Sequence, residues 1–505
     1  LLDIRRGCLE RLALAMNLTI LLWLPLAAVI AGLVLPAAEA RFAALLGSAA
    51  ALVLSVVLLF KFDGGQKGLQ FVIDKTWISE LGIHYKLGVD GLNLFLIALA
   101  ALLFFASIAW AALREWERPH LFYLWFGLAE SGVLGALMAQ DLALFVIFFD
   151  VMLVPFLFLG GGWGTSPNRV ASMVKLFIYT LVGSLLMLSA AIATGVLAPG
   201  DGVTFDLVQL GSVARRLPTG SQEWIFLFFA AAFLVKMPAF PLHGWMPDGY
   251  KAMPLPVLAV FSGILSKVAA YGFLRVVLPL YPDASAHFQE LMLLIALASI
   301  LYGSALAFTT PDSRLILGYS SVAQLGFITL GIFSLQDTGA QGALLQAVNH
   351  GLVVAPAFFI VALLAARAGG SEDIRAMGGI AFRAPVLATL FLIVALANLA
   401  MPGSSNFVGE FLILLGVFNA KIVIAIVAFT GVVLASVYTL RLFIRSMHNR
   451  VGPHVTSREI GIGDGLVIAP LVAVILALAL YPQLALDRSE DSVKASIKDA
   501  KALSR

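Results

Sequence analysis

Long uncharged runs recur from one end of the chain to the other. Windows of about 20 apolar residues, the length a helix needs to cross a hydrocarbon core, occupy 19–38, 42–60, 91–113, 176–199, 291–311, 315–336, 338–366, 384–409, 422–440 and 465–486. Four more apolar segments carry isolated ionisable residues: 121–140 with Glu130, 142–160 with Asp150, 224–245 with Lys236, and 252–281 with Lys267 and Arg275. The pattern predicts an all-α polytopic membrane protein of about fourteen helices, numbered here as segments 1–14 in chain order. Runs of this length exclude a membrane barrel, whose strands alternate over about ten residues.

Two segments are interrupted alike. Segment 7 reads FLVKMPAFPLHGWMP around Pro238 and Pro241, and segment 12 reads NLAMPGSSNFVGEF around Pro402 and Gly403. The two Met-Pro steps lie 164 residues apart, each in the fourth member of a five-segment set, 4–8 and 9–13. Matching broken helices point to inverted repeats with a site at mid-membrane; an odd number of crossings turns the second set upside down. Proline is also ordinary in membrane helices, so the prolines alone leave both readings open. The expected organisation is a probable upstream extension (1–15), segments 1–3 with their connections (16–118), a first repeat (119–282), a second repeat (283–447), and the last helix and tail (448–505). The basic-then-apolar start also resembles a signal peptide, but the run to Pro36 is long enough to span and lacks a clear small-residue cleavage site.

Composition sharpens this picture. The chain is 61% hydrophobic and 12% charged, unlike a soluble domain. Its single cysteine, Cys8, excludes an intrachain disulfide, a cysteine-rich zinc site and an iron–sulfur cluster. A net charge of +3, spread over 32 Lys+Arg and 29 Asp+Glu, gives no sign of a nucleic-acid partner. Lys and Arg concentrate in the short loops after odd-numbered segments, fourteen against three in the opposite short loops. The positive-inside rule then puts both termini outside, although the basic tail and the lysines of 61–90 dissent.

Charge within the apolar runs is the candidate chemistry, because an ionisable group at lipid depth needs a partner, water or a neutral form. Asp150, Lys236, Lys267 and Glu410 sit mid-run. Lys236 precedes Pro238, where lost backbone donors free carbonyls for an ammonium or water; snorkelling is the competing reading, and apolar residues on both sides oppose it. Arg275 reads as an interface anchor near a helix end. His350, in LLQAVNHGLVVAP, suits a proton relay or helix packing equally. His243 reads as a cap or interface residue, and Glu130 either pairs with a cation or serves the path. Paired acids and lysines at this depth are what a proton path needs. No P-loop, dinucleotide fingerprint, nucleophile elbow or metal cluster is legible, so electron chemistry is assigned to partners.

With these segments in hand the chain resembles the antiporter-like membrane subunits of respiratory complex I, NADH-quinone oxidoreductase, over roughly residues 85–445. The pieces that carry the resemblance are LGVDGLNL (87–94), VKLFIYTLVGSLLML (174–188), VKMPAFPLHGWMPD (235–248), GILSKVAAYGFLR (263–275), LILGYSSVAQLGF (315–327), VNHGL (348–352) and MPGSSNFVGEF (401–411). The resemblance implies fourteen helices with inverted five-helix repeats, and a proton path through Asp150, Lys236, Lys267, His350 and Glu410. It implies no cofactor in this chain, with FMN, iron–sulfur clusters and quinone in partner subunits. The partners are other membrane subunits, further antiporter-like ones among them, in the cell inner (plasma) membrane. Two departures stand out. FFDVMLVP supplies Asp150 where the family pattern has Glu, and SSVAQLG supplies Gln324 where it has His, a gap that water would bridge. The alternative reading is a large subunit of an Mrp-type sodium/proton antiporter or a membrane-bound hydrogenase, and an inert membrane scaffold is the contrasting one.

Overall fold

The computed structural model describes residues 17–199 and 202–504. The proposed extension, 1–15, lies outside the described residues. Each of the fourteen expected segments is helical over most of its length, and among the described residues eleven helices are long and apolar enough to cross a membrane. Shorter apolar helices account for segment 1, Leu18–Val34, and for the halves of segment 12, Pro385–Asn398 and Ser405–Ala420.

Both predicted breaks are present. In segment 7 the helix Thr219–Lys236 stops ahead of Pro238, and a shorter helix resumes at Met246–Ala252. In segment 12 the halves are separated by a turn in which Gly403 has φ +93°. Segment 5 also breaks: Leu142–Val151 ends just after Asp150, and Val154–Trp163 restarts with Pro155 in its first turn, where a missing N–H costs nothing. That proline was the available signal, and the sequence reading did not use it.

Two elements lie outside the fourteen segments. Strands β1, Gln70–Ile78, and β2, Ile83–Val89, form an antiparallel hairpin. Beyond segment 14 (Ile462–Leu480) the helix Gln483–Leu503 buries Ala485, Ser489, Val493, Ser496, Ile497 and Ala500 along one face. Lys494 and Lys498 belong to the opposite, solvated face of this amphipathic helix, while Lys501 bridges Asp337 at 2.7 Å. The hairpin packs by charge as well as by strand pairing, since Lys86 bridges Asp74 at 3.7 Å and Asp206 at a shorter contact.

Helix starts follow side-chain capping. Asp141 accepts the N–H of Leu144 and starts segment 5, while Asp312 accepts that of Leu315 and starts segment 10. Each aspartate also sits in a two-bond backbone bridge to a later loop. Leu142 N–H donates to Phe205 O and Leu207 N–H to Gln140 O; likewise Ser313 N–H donates to Glu372 O and Ile374 N–H to Pro311 O.

Burial is uneven across the bundle. The hydrophobic window of segment 8 is wholly buried and those of segments 10 and 11 nearly so, whereas those of 2, 13 and 14 are buried over only a third. The helices carrying Lys267, Gln324 and His350 are therefore the inner ones. Segments 8 and 11 approach by backbone at Gly263 and Gly351, where a Cβ on Gly351 would lie 2.5 Å from Gly263 O.

Candidate functional site

Asp150 and Lys236 meet. The Lys236 Nζ lies 3.3 Å from an Asp150 carboxylate oxygen, which Ser184 Oγ also donates to. The ammonium donates to Phe149 O at 2.7 Å and stands 3.6 Å from the centre of the Phe149 ring. That carbonyl belongs to the last turn of Leu142–Val151, where the partial negative charge of a helix C-terminus favours a cation. The expectation that carbonyls freed at Pro238 would hold Lys236 needs correcting: Val235 O takes the Trp245 indole N–H at 2.9 Å, and the ammonium turns to segment 5 instead. Asp150 reaches its partner despite being a methylene shorter than Glu. The pair is asymmetric in burial, with the Lys236 side chain 3% exposed and that of Asp150 40%.

Lys267 is fully buried in segment 8, where its Nζ donates to Ser262 O at 2.6 Å. That carbonyl belongs to a π-helical turn, Phe261–Leu265, a widened geometry frequent at functional sites. His350 lies on the packed neighbour, segment 11, fully buried and with neither ring nitrogen hydrogen-bonded among the described residues.

Glu410, in the second half of segment 12, accepts from Gln324 Nε2 at 2.7 Å and from Gln346 Nε2 at 3.4 Å. Gln346 also donates to Gln324 Oε1 at 2.8 Å, and the other Glu410 oxygen has no partner among the described residues. Gln346 precedes His350 by four residues on one helix, so the two share a face. Gln324, which stands where the resembling family has His, thus contacts Glu410 directly. Gln346 was missed in the sequence; as an uncharged amide in an apolar run it sends a weak signal.

Not all five predicted residues touch. Asp150 and Lys236 form one pair, Lys267 and His350 lie on adjacent inner helices, and Glu410 joins the His350 helix through two glutamines. Among the described residues Glu130 pairs with no cation; Ser48 donates to it at 3.1 Å. His243 packs against Tyr302, ring centres 5.0 Å apart. Arg275, read as an interface anchor near a helix end, is partly exposed; it pairs with Asp90 and donates to the Tyr271 hydroxyl at 3.0 Å.

Fold and site together define a polytopic α-helical membrane protein with ionisable and amide side chains strung through its inner helices. The model of the transmembrane region of NADH:quinone oxidoreductases and Mrp antiporters matches residues 139–435, and the chain belongs to that family. NADH-quinone oxidoreductase subunit M of Rhodobacter capsulatus is 35% identical over 94% of this chain and 95% of its own. Subunit M of Escherichia coli (strain K12) is 36% identical over 84% of each. Among solved structures, a chain of respiratory complex I from Thermus thermophilus with bound NADH superposes with TM-score 0.87 at 29% identity, covering 96% of this chain and 99% of that one. A chain of the Mrp complex from Dietzia sp. DQ12-45-1b shares the fold, with TM-score 0.83 at 21% identity over 96% and 99% of the two chains.

Proposed function

We propose that the chain is a proton-translocating membrane subunit of an NADH-quinone oxidoreductase of the complex I type. The near full-length similarity to subunit M relatives supports this reading over an Mrp-type antiporter, for which the 21% identical structure supports the fold alone. Its action is that of a translocase. Redox chemistry, with FMN, iron–sulfur clusters and quinone, belongs to partner subunits, and neighbouring antiporter-like subunits lie beside it in the plasma membrane.

The observation that carries the mechanism is the Asp150–Lys236 pair, continued by Lys267, His350 and the Gln346–Gln324–Glu410 group. While Asp150 is ionised and close, Lys236 keeps its proton. Moving the carboxylate away leaves an ammonium in a dry site, which is costly, and the proton passes on towards Lys267. His350 then relays between Lys267 and the amide-lined pocket of Glu410. Glutamine has no proton to give at neutral pH, so Gln324 and Gln346 orient Glu410 and leave transfer to its carboxyl.

The repeats, 119–282 and 283–447, are read as inverted copies. Supporting this is the matched capping and bridging at Asp141 with Asp206 and at Asp312 with Asp373. The loop charges favour both termini on the outer side. The test is NADH-driven proton pumping by assembled complexes carrying Asp150→Glu or Asp150→Asn. Glu retains pumping and Asn loses it; an Asn variant that pumps like the parent removes Asp150 from the path.

A further inference from the structure

Segment 8 carries Lys267, Tyr271 and Arg275 at intervals of four, the spacing that places side chains along one helix face. The last two are joined, Arg275 Nε to the Tyr271 hydroxyl at 3.0 Å, and Arg275 Nη2 closes on Asp90 Oδ1. Asp90 stands at the turn between β2 and segment 3, fixed by the Leu92 N–H at 2.9 Å. Little of either side chain in the ion pair is exposed, 13% for Arg275 and 9% for Asp90.

Beyond the pair lies a cavity of about 680 Å³. Its buried lining includes Asp90 and Gln140, and its exposed lining includes Lys67, Lys494 and Lys498. The amphipathic C-terminal helix forms one wall and is tied to both sides of the pair. Ser496 Oγ donates to Leu274 O at 2.5 Å, and Gly91 N–H donates to Ser492 Oγ at 3.1 Å. A buried Arg–Asp pair costs desolvation that hydrophobic packing would avoid. This one also separates an open cavity from a buried lysine about two helical turns away, some 12 Å of rise.

Resting on the proton-translocation reading above, in which His350 exchanges protons between Lys267 and Glu410, we propose that Tyr271, Arg275 and Asp90 form the gated exit by which protons held on that row leave from Lys267 to this cavity. In the structure the Lys267 ammonium is turned the other way, onto Ser262 O, which is the closed arrangement. In the open one its four-carbon stem swings towards Tyr271. The ammonium gives one proton to the hydroxyl oxygen, directly or through one water, while the hydroxyl releases its own proton onward. Asp90, freed from Arg275, accepts that proton and passes it to water in the cavity. Lys267 is left as a neutral amine and Tyr271 is restored, so one proton crosses and no other bond changes. While closed, Arg275 holds a positive charge across the exit and repels a proton entering from the cavity.

The test uses whole complexes in proteoliposomes, with assembly checked on native gels. Tyr271→Phe keeps the ring and the Arg275–Asp90 pair and removes only the relaying hydroxyl. Loss of a positioned relay group predicts NADH-driven proton uptake reduced about ten-fold or more. Arg275→Gln removes the blocking charge while keeping Asp90 as the acceptor, and raises the passive proton leak under an imposed potassium diffusion potential without NADH. Adding Lys267→Met returns that leak to the parent level. A purely structural clamp would not give a leak that depends on Lys267. If Tyr271→Phe complexes pump at the parent rate, the exit is overturned, and this single variant decides even if Arg275→Gln fails to assemble. Asp150→Asn run in parallel separates the two readings. Pumping lost there but intact in Tyr271→Phe sinks the exit alone, whereas pumping intact in both sinks the path that feeds it.

Discussion

Gln324 donates its side-chain amide to the Glu410 carboxylate at 2.7 Å, across 86 residues of chain. This contact occupies the position where a relay histidine was expected, and it supplies orientation in place of a second titrating group. Replacing Gln324 with Leu leaves Glu410 with only the 3.4 Å contact from Gln346. Gln324→Leu is expected to slow NADH-driven pumping about ten-fold, and Gln324→His to preserve it, because histidine restores a donor that also exchanges protons. Dye-quench measurements on vesicles check both, and equal pumping by Leu and parent would remove Gln324 from the path.

At the opposite end of the row, Lys236 is held by Asp150 and by Phe149 O. Lys236→Ala leaves Asp150 with only its Ser184 hydroxyl bond and is expected to abolish pumping in complexes that still assemble. Lys236→Arg keeps the charge but does not fit a point-charge contact against the Phe149 ring and carbonyl, and recovers less than half of parent pumping. The measurement is proton uptake per NADH oxidised.

The contact of segments 8 and 11 depends on the lack of side chains at Gly263 and Gly351. A Cβ at Gly351 meets backbone, which cannot swing aside, so Gly351→Ala is expected to destabilise by about 1–3 kcal/mol through overpacking. Thermal unfolding of the detergent-solubilised complex and native-gel abundance give the readout, and an unchanged midpoint would contradict the close approach.

Outside the membrane, Glu459 caps the first half of segment 12 from a distant loop, accepting from Val386 at 2.9 Å, Leu387 at 3.0 Å and Ile460 at 2.8 Å. Burial works against its charge, but the amide donors outweigh it and hold the carboxyl below its ordinary value. Its stabilisation is therefore present above the unfolded carboxylate pKa and is lost as pH falls through the lower folded value. Glu459→Gln is expected to cost about 1 kcal/mol at neutral pH, the scale of a helix cap. The gap from the parent should close on acidification, as a melting series from pH 7 down to pH 3 would report. A gap that widened in acid would be the wrong sign.

How far the sequence reaches differs between fold and site. Hydrophobic run length marked the apolar helices, and Met-Pro steps marked two breaks. The hairpin and the C-terminal helix went unread because half-polar elements give no run of twenty. Of the dissenting charges, Lys75 and Lys86 belong to the hairpin and Arg488, Lys494, Lys498 and Lys501 to the C-terminal helix. Residue type likewise singled out Asp150, Lys236, Lys267, His350 and Glu410 as candidates, while the Asp90 partner of Arg275 stayed hidden because nearness to a helix end says nothing about what packs over it.

The sequence by itself determined which segments enter the membrane, where two of them break, and which charges are carried inside. These are local properties: the transfer free energy of a helix, the missing N–H of proline, the penalty on a single ion in an apolar run. Only the tertiary structure decided what offsets each charge. Asp150 finds Lys236 across 86 residues and Asp90 finds Arg275 across 185. Gln346 reaches Glu410 across 64. Desolvation is felt at one position, but the dipole or counter-charge that compensates it comes from whichever helix the packing brings alongside.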